Sequence, residues 1–353
     1  MKILHVITSL RTGGAEKLMV DLLPRLRDLG NEVDLLLFDG TRTPFYEELE
    51  KFGIKINYLS IGGNVYNPLN IFRLIKFIKK YDIIHTHNTA CQYFVPLAKM
   101  ISRAKCKLIT TEHNTHNRRR NYKIFKILDS LIYNKYNNII SISDKTTENL
   151  ENFIGKKSNI VSVYNGVNLS KYNILSSPQF SSNEKIITMI AGFREQKDQD
   201  TLIKAIAELP DDYKLWLVGD GERRGILENL VAKLGISDRV RFWGIRSDIP
   251  QILEQSHIIV LSSHWEGLSL SCIEGMASGR PFIASDVDGL RDIVGDYGIL
   301  FPHQDYKTLA KEIQYLCENK EYYKKIAATC QEKAIQYDIN IMAKKYNQVY
   351  HEL

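Results

Sequence analysis

The sequence SSHWEGLSLSCIEGMASGRPFIASDVDGLRD, residues 262–292, alternates short apolar runs with glycine-containing breaks. It predicts the end of a strand, a turn, a helix from about Ser269, a Gly-Arg-Pro break and a second strand. A strand–helix–strand unit of this kind is the repeating element of parallel α/β sheets. The stretch therefore predicts a parallel α/β domain.

Two carboxylates, Glu266 and Glu274, flank the predicted start of this helix with seven residues between them. Glu266 precedes the helix, and Glu274 lies about 7.5 Å along its axis. The amides of Gly267, Leu268 and Ser269, with the positive end of the helix dipole, form a candidate phosphate site. A nucleotide-sugar, with hydroxylated rings on both sides of a diphosphate, fits this spacing. Solvated carboxylates on an ordinary helix are the alternative.

The same alternation of strands and helices extends over most of the 353 residues, a length that predicts two domains. Seven strand candidates lie within residues 3–164 and five within residues 185–285. Between them, the Ser-rich residues 169–183 read as a linker. We therefore expect two Rossmann-like, doubly wound domains, with ligands outside the carboxyl ends of the strands in a cleft between them. The expected domains are residues 1–168 with a C-terminal helix at 337–353, and residues 169–336.

Composition excludes several classes of protein. The chain is 44% hydrophobic and 25% charged, as expected for a soluble globular protein, and has no apolar run long enough for a transmembrane helix. Its start, MKILHVITSL, reads as a first strand rather than a signal peptide. The five cysteines form no CxxC pair, which predicts reduced thiols in a cytoplasmic protein without a zinc site.

Positive charge is concentrated in the first half. Residues 1–168 hold 25 lysines and arginines against 15 aspartates and glutamates, a net charge of +10, whereas residues 169–353 have a net charge of −4. Basic amphipathic segments at 70–80 and 118–136 favour peripheral contact with an anionic membrane. Ordinary surface helices are the alternative. No nucleic-acid-binding motif is present, so nucleic acid is not an expected partner.

Polar clusters also follow strands in the first half. Gly13 and Gly14 form a strand-to-helix turn that permits close approach of a ligand or is simply tight. The turn lacks the GxGxxG pattern, which disfavours an NAD-dependent dehydrogenase. In IIHTHN and TTEHNTHN, four histidines (His85, His87, His113 and His116) have no accompanying carboxylate or cysteine cluster. We expect single histidines that hydrogen-bond a polar ligand or backbone groups, and no metal site.

Taken together, these segments resemble family 4 of the glycosyltransferases, which are retaining enzymes with the GT-B fold of two Rossmann-like domains facing a deep cleft. The resemblance covers nearly the whole chain and follows the family's order. It rests on GGAE (13–16), DIIHTHN (82–88), TTEH (110–113), YNGVN (164–168), AGFREQKDQDTLIKA (191–205), LVGDGERR (217–224), VRFWGIRSDIPQIL (240–253), residues 262–290 and the tail QYDINIMAKKYNQVY (336–350).

The resemblance implies a role for each matching residue. Glu266 would hold hydroxyls of the donor sugar, Glu274 would hold the ribose, and Lys197 would neutralise the diphosphate. His113 would lie against the donor sugar near the reacting centre. Further donor contacts are implied for the amides of Gly267, Leu268 and Ser269 and for a base pocket near Gly244 and Ile245. The turn at Gly13 and Gly14, also a candidate donor-binding element, would approach the diphosphate or the acceptor.

Two features depart from the family's pattern or compete with it. The family has an arginine where this chain has Gly192, and Arg194 is the candidate replacement. Asp286-Val-Asp288 spells a DxD motif, but the family places no metal ligand there. The resemblance thus implies no cofactor and no metal, with positive charge from Lys197 stabilising the departing diphosphate.

The implied activity is transfer of a sugar from a nucleotide-diphosphate sugar to a saccharide or lipid-linked saccharide, as in bacterial surface polysaccharide synthesis. The basic first domain favours a cytoplasmic enzyme that contacts the inner face of the membrane. One alternative is a nucleotide-sugar epimerase of similar fold. The other is a catalytically inactive sugar-nucleotide-binding protein.

Overall fold

The computed structural model describes residues 1–11, 13–113, 122–172 and 184–353, except for the side chain of Lys123. The chain forms two units: unit 1 is Met1–Gly166 with Ile339–Leu353, and unit 2 is Val167–Asp338. These limits lie within two residues of the domain boundaries expected from the sequence. His116, Arg118 to Arg120 and most of the predicted linker lie outside the described residues.

Unit 1 is built on a seven-stranded, fully parallel sheet in the order β3-β2-β1-β4-β5-β6-β7. Its strands have long runs of buried, β-branched and aliphatic residues, as expected for a sheet covered on both faces. The strands are β1 (Lys2–Ile7), β2 (Glu32–Asp39), β3 (Lys55–Ser60), β4 (Ile83–His87), β5 (Lys107–Glu112), β6 (Asn138–Ser141) and β7 (Ile160–Ser162).

Helices cover both faces of this sheet. One core cluster joins α1, α2 and the C-terminal helix α14 to the sheet, and a second joins α3, α4 and α6 to it. Helix α14 therefore returns to unit 1 after the whole of unit 2. The helices are α1 (Gly14–Asp28), α2 (Pro44–Lys51), α3 (Leu69–Ile78), α4 (Thr89–Ser102), α5 (Lys123–Tyr133), α6 (Asp144–Ile154) and α14 (Ile339–His351).

Unit 2 repeats the plan with a six-stranded parallel sheet in the order β10-β9-β8-β11-β12-β13. Its strands are β8 (Lys185–Ile190), β9 (Tyr213–Val218), β10 (Val240–Gly244), β11 (Ile258–Leu261), β12 (Phe282–Ser285) and β13 (Ile299–Phe301). Its helices are α7 (Gln199–Ala207), α8 (Arg224–Lys233), α9 (Ile249–Gln255), α10 (Leu270–Ala277), α11 (Arg291–Val294), α12 (Tyr306–Glu318) and α13 (Lys320–Ile335).

The strand order of both sheets reverses once, between β1 and β4 in unit 1 and between β8 and β11 in unit 2. These are the topological switch points, where neighbouring crossover helices lie on opposite faces and leave a crevice at the carboxyl ends of the strands. The prediction of two Rossmann-like domains is confirmed. Among the helices that the structure describes, none combines the length and apolar character needed to cross a membrane.

Candidate active site

The predicted residues of unit 2 lie on loops that follow strands at its switch point. Lys197 is in the loop between β8 and α7, where residues Glu195–Lys197 form a 3₁₀ turn. Glu266 is in the loop between β11 and α10. Because β8 and β11 are adjacent and parallel, their carboxyl ends place the two loops side by side.

Lys197 and Glu266 form an ion pair. The Lys197 Nζ is 2.5 Å from the Glu266 Oε1, and their side chains are only 18% and 5% exposed. The Ser263 hydroxyl donates to the same carboxylate oxygen at 2.6 Å. The Gln196 side-chain amide lies 3.5 Å from the other carboxylate oxygen. Glu266 is therefore held by two close donors and one longer contact in a largely dry position, where removal of the charge of Lys197 or Glu266 would leave the other uncompensated.

Two supporting residues were not found from the sequence. Ser263 is fixed by the Ser285 hydroxyl, which donates to its carbonyl at 2.6 Å. The side-chain amide of Gln196 donates to the Trp265 carbonyl at 2.8 Å, and the backbone carbonyl of Gln196 accepts from the His264 backbone N–H at 2.8 Å. Their only sequence signal is a polar residue just beyond a strand or just before Lys197, a pattern too common to select them.

Helix α10 begins at Leu270, one residue later than expected, with Ser269 at the N-cap. Within the described structure, no side chain caps its first turn. Glu274 is the fifth residue of the helix and is buried, with 4% of its surface exposed. An uncapped helix start leaves backbone N–H groups available to an anion. The predicted order of Glu266, helix start and Glu274 is thus present.

The loop after β12 contacts this site through backbone, and Asp286-Val-Asp288 is part of it. Asp286 and Asp288 both lie beside Arg291, at 2.5 Å and 3.4 Å. Gly289 has φ +84°, and a Cβ there would lie 2.4 Å from the Glu266 carbonyl oxygen. Gly289 thus allows this loop to press against Glu266, and the two aspartates are occupied by an arginine.

Glycines also bring the remaining strand ends of unit 2 together. Gly219 after β9 donates to the Gly244 carbonyl at 2.9 Å, and a Cβ at Gly219 would lie 2.1 Å from the Ala191 carbonyl oxygen. The next side chain, Ile245, is 63% exposed. An exposed apolar side chain at a strand end can pack against a planar ring. Gly244 and Ile245 therefore lie at the same edge of the sheet as Lys197.

Arg194 is exposed, and its guanidinium forms no hydrogen bond or ion pair with any residue that the structure describes. It lies beside Gly192, and its Nε would be 3.9 Å from a Cβ built there. Its nearest arginine neighbour in sequence, Arg223, is instead tied to Asp200 by two hydrogen bonds of 2.7 Å and 2.9 Å. Arg194 is therefore a free guanidinium next to the position that lacks the family's arginine.

At the switch point of unit 1, the turn at Gly13 and Gly14 leads into α1. A Cβ at Gly13 would lie 2.2 Å from the Glu16 carboxylate, so only glycine permits this arrangement. The Asn88 amide donates to Glu16 at 3.3 Å and to the Thr8 hydroxyl at 3.0 Å. Burial raises the pKa of Glu16. A carboxyl group over the start of α1 opposes binding of a phosphate there.

His113 directly follows β5 and is half-buried. Its Nε2 lies 2.9 Å from the Nδ1 of His87 on the adjacent strand β4. Burial lowers the pKa of His113 to about 4, while the charge of Glu112 acts in the opposite direction. At neutral pH His113 is therefore an uncharged imidazole with one nitrogen held by the protein.

Two groups of metal-ligating side chains occur among the described residues. Asp198, His264 and His303 have ligand atoms within 4.8 Å of one another, as do His5, His85 and His87. In the first group Asp198 already caps α7, accepting from the Thr201 hydroxyl at 2.7 Å.

Two family models together match residues 12–333. The model "Glycosyltransferase Family 4" matches residues 12–171, and "Glycosyl transferases group 1" matches residues 171–333. The chain is a family 4 glycosyltransferase. The match covers the strand ends that carry Gly13, Lys197 and Glu266, and with the two parallel sheets it assigns the transferase the GT-B fold.

Relatives of the transferase span nearly its full length. It is 25% identical over 373 residues to the N-acetyl-alpha-D-glucosaminyl L-malate synthase of Bacillus anthracis, covering 97% of this chain and 94% of that one. It is 25% identical over 350 residues to a Campylobacter jejuni enzyme, the N-acetylgalactosamine-N,N'-diacetylbacillosaminyl-diphospho-undecaprenol 4-alpha-N-acetylgalactosaminyltransferase, covering 92% and 93%.

Among solved structures, HepE of Anabaena in complex with UDP and glucose superposes on the transferase with a TM-score of 0.87. The two chains are 22% identical and each is covered completely. At this identity the likeness establishes the fold alone.

Proposed function

We propose that the transferase moves a sugar, with retention of anomeric configuration, from a nucleotide-diphosphate sugar to a saccharide or lipid-linked saccharide. The observation that carries the proposal is the Lys197–Glu266 pair beside the uncapped start of α10. Both family models describe glycosyltransferases, which favours transfer over epimerisation. HepE, whose sheets superpose on these, is described in complexes with UDP and UDP-glucose, which supports a nucleotide-sugar donor.

Cleavage of the sugar–phosphate bond develops negative charge on the departing diphosphate. Lys197, the free guanidinium of Arg194 and the first-turn amides of α10 are positive groups at one sheet edge, and fixed positive groups stabilise such charge without reorganisation. On this proposal no metal is needed. The pairing of Asp286 and Asp288 with Arg291 supports that part of the proposal, because their carboxylates already have a cationic partner.

The donor would lie along the edge of the unit 2 sheet. Glu266 accepts hydrogen bonds from sugar hydroxyls and Glu274 from the ribose, with Gly267, Leu268 and Ser269 between them. The base stacks near Gly244 on the exposed side chain of Ile245. Carboxylates in these positions orient the donor and carry no proton between reactants. The acid–base chemistry is then left to the acceptor hydroxyl and the departing phosphate.

Unit 1 would bind the acceptor. Glu16 over the start of α1 disfavours a phosphate but accepts a hydrogen bond from a hydroxyl, so the turn at Gly13 and Gly14 suits a saccharide. His113 would contact the donor sugar near its reacting carbon. The Campylobacter relative is named for an acceptor linked to diphospho-undecaprenol, which supports a lipid-linked acceptor.

Exposed apolar and basic side chains on α3, α4 and α5 support contact with a membrane, and with it that class of acceptor. Helix α4 packs against both α3 and α5. Helix α5 buries Asp129 while it leaves Ile124, Ile127 and Leu131 each about 60% exposed, the reverse of an ordinary amphipathic surface helix. The exposed apolar side chains on these helices and just before α5 are Leu69, Phe72, Met100, Ile101, Tyr122, Ile124, Ile127, Leu128 and Leu131. Arg73 and Lys76 of α3 and Lys126 of α5 are also exposed.

The donor class is tested first, by a thermal-shift screen with UDP-, GDP- and ADP-sugars. A bound donor raises the melting temperature by mass action. The responding donor is then used in transfer assays of Lys197→Met and Glu274→Gln, with Lys204→Met and Glu254→Gln, both exposed, as matched controls. We expect the first pair to lose transfer by two orders of magnitude or more. Unchanged turnover in both contradicts the site.

Stereochemistry and membrane contact need separate experiments. Proton NMR of the product reports its anomeric configuration, and inversion would overturn the retaining part of the proposal.

Flotation with anionic and zwitterionic vesicles tests membrane contact by the exposed surface of α5. The triple change of Ile124, Ile127 and Leu131 to serine should reduce flotation on anionic vesicles without changing transfer to a short soluble acceptor. Equal flotation of the variant and the native chain refutes this surface.

A further inference from the structure

The proposed function uses His113 but leaves three buried histidines beside it without a role. His5 on β1 and His85 and His87 on β4 are fully buried at the switch point of unit 1. Their rings stack, with centroids 4.5–5.3 Å apart. Two tyrosines of α14, Tyr346 and Tyr350, cover them. Three imidazoles and two phenols are thus buried together, and each of their protons needs a hydrogen-bond acceptor.

Stacking argues against a metal ion among His5, His85 and His87. A histidine binds a metal through a lone pair in the plane of its ring. The planes of His85 and His87 are 16° apart and those of His5 and His85 are 25° apart, so stacked rings direct their lone pairs side by side rather than at one point. The nitrogens also have other partners. The ring nitrogens of these histidines are therefore engaged in hydrogen bonds rather than in metal binding.

These side chains form one unbranched series of hydrogen bonds. The contacts, in order, are Tyr346 Oη to Thr111 Oγ1 at 3.0 Å, Thr111 Oγ1 to His85 Nε2 at 2.8 Å, His85 Nδ1 to Tyr350 Oη at 2.7 Å, Tyr350 Oη to His5 Nε2 at 3.3 Å, His5 Nδ1 to His87 Nε2 at 3.0 Å, and His87 Nδ1 to His113 Nε2 at 2.9 Å. The series joins α14 at one end to His113 at the other.

Each imidazole in the series is neutral. Burial lowers the pKa of His5 to about 3 and that of His113 to about 4, and it lowers those of His85 and His87 well below the ordinary value. A neutral imidazole donates with one nitrogen and accepts with the other. A hydroxyl could accept from both of its neighbours, but its own proton would then have no acceptor among the described residues. An unbroken series therefore has two states, in which all donors point toward His113 or all point away from it.

The buried end of the series selects between these states. If the donors point away from His113, the last hydroxyl, that of the fully buried Tyr346, needs a further acceptor, and none exists among the described residues. An unmade buried hydrogen bond costs about 1–3 kcal/mol. If they point toward His113, Tyr346 donates to Thr111 and every fully buried nitrogen and hydroxyl in the series is satisfied; the Nδ1–H of the half-buried His113 is then the one donor of the series without a partner among the described residues. The second state is favoured.

We propose that Tyr346 and Tyr350 are positioning residues that hold His113 in the Nδ1–H tautomer, so that it presents a fixed N–H donor to an oxygen of the sugar substrate. The Nε2 of His113 is occupied as an acceptor, which leaves its proton on Nδ1. No described residue accepts a hydrogen bond from that Nδ1. A donor whose tautomer is set in advance needs no rearrangement when a substrate oxygen or its developing charge arrives.

The inference rests on the proposed function for the identity of the ligand, but not for the tautomer. The tautomer can be read without substrate from the full chain labelled with ¹⁵N-histidine. Long-range ¹H–¹⁵N correlation spectra at pH 7.5 distinguish a protonated ring nitrogen from an unprotonated one. We expect His5, His85, His87 and His113 all as Nδ1–H tautomers. Since free imidazole side chains prefer Nε2–H in water, an Nε2–H signal for His113 would overturn the proposal.

Tyr350→Phe removes the hydroxyl between His85 and His5 and tests the connection. His5 and His87 separate Tyr350 from His113 in the series. We expect His113 to relax toward the Nε2–H tautomer in this variant. We expect kcat/KM for the donor to fall about fivefold, because the competent tautomer becomes the minor one. Tyr136→Phe is the matched control, because its hydroxyl in the same unit bonds Thr86 and the Gln92 carbonyl instead. An unchanged His113 tautomer in Tyr350→Phe refutes the connection.

Tyr346→Phe is a second variant, for use if Tyr350→Phe does not fold. It removes only the terminal donor of the series and is expected to give a mixture of tautomers at His113.

One further outcome separates the inference from the proposed function. An Nδ1–H tautomer at His113, together with full transfer activity in His113→Ala, would leave the hydrogen-bonded series intact and refute the assigned role of His113.

Discussion

Mild acid should destabilise unit 1 more than unit 2, because unit 1 buries three neutral histidines on β1 and β4. His5, His85 and His87 are each fully buried, and burial holds their pKa values below the ordinary value of 6.5. The unfolded chain therefore binds more protons than the folded one at acidic pH. Stability is fully present above the unfolded pKa and falls as the pH drops toward the folded pKa.

The size of the effect follows from proton linkage. Between pH 7 and pH 5, each histidine that stays neutral in the folded state and has an unfolded pKa near 6.5 lowers the free energy of unfolding by about 2 kcal/mol. Three such residues give about 6 kcal/mol, which is comparable to the whole stability of many domains. His113 in the same unit, whose pKa burial lowers to about 4, acts in the same direction. Glu16 acts in the opposite sense, because burial raises its pKa. In the described part of unit 2 the one comparable group is His257, whose pKa burial lowers to about 4.

Separate probes exist for the two units. All three tryptophans, Trp216, Trp243 and Trp265, belong to unit 2, so tryptophan fluorescence in a urea titration follows that unit. Amide hydrogen exchange of peptides from β1, β4 and β5, corrected for the intrinsic pH dependence of exchange, follows unit 1. We expect protection in unit 1 to fall between pH 7 and pH 5 by several kcal/mol more than the stability of unit 2.

Equal losses in the two units would refute this reasoning, as would a loss in unit 1 that begins only near pH 4, where carboxylates titrate. Substitution of His87 by Gln supplies a further check. It removes one titrating group, so the dependence on pH should become shallower by about 1.4 kcal/mol per pH unit below pH 6. An unchanged slope would place the acid-sensitive groups elsewhere.

Other outcomes are set by contacts in unit 2. Gly289→Ala should lower the free energy of unfolding by about 2 kcal/mol or more in urea, from left-handed strain and the Glu266 carbonyl clash; an unchanged midpoint would contradict this. Arg280→Met should lower the free energy of unfolding by about 3 kcal/mol, since the buried guanidinium donates to the carbonyls of Ser256, Glu254 and Gly279; tryptophan fluorescence measures it, with exposed Lys233→Met as control. Asp286→Asn with Asp288→Asn should keep transfer within about twofold, with or without EDTA; EDTA-sensitive loss would reveal a metal site.

Sequence reasoning located most strands of the fold because parallel strands buried on both faces are short, continuous apolar runs. It missed β13, where only three residues pair with β12, and the short helices α2 and α11. A pattern of apolar residues needs more than one or two turns to repeat, so such elements depend on the contacts around them. The missed strand β13 also lies at an edge of its sheet, as β7 does in unit 1.

The site was only partly accessible to the sequence. Glu266, Glu274 and Lys197 stand in motifs, but nothing local indicates that Lys197 pairs with Glu266, 69 residues away. His5 was read only as part of a first strand, because an apolar run with one histidine gives no sign of the imidazoles on the strand beside it. Sheet pairing between β1 and β4 creates that cluster, and pairing between distant strands is what a linear pattern does not contain.

The return of α14 to unit 1 has a consequence for how the chain is made. The hydroxyl of Tyr350 meets His5 across 345 residues of sequence, and α14 forms much of the core beneath β1 and β2. Unit 2 is continuous, so it can fold as soon as it emerges from the ribosome. Unit 1 is synthesised first yet stays open until α14 arrives. A chain interrupted before residue 339 would expose an uncovered apolar sheet face, a ready target for chaperones and proteases.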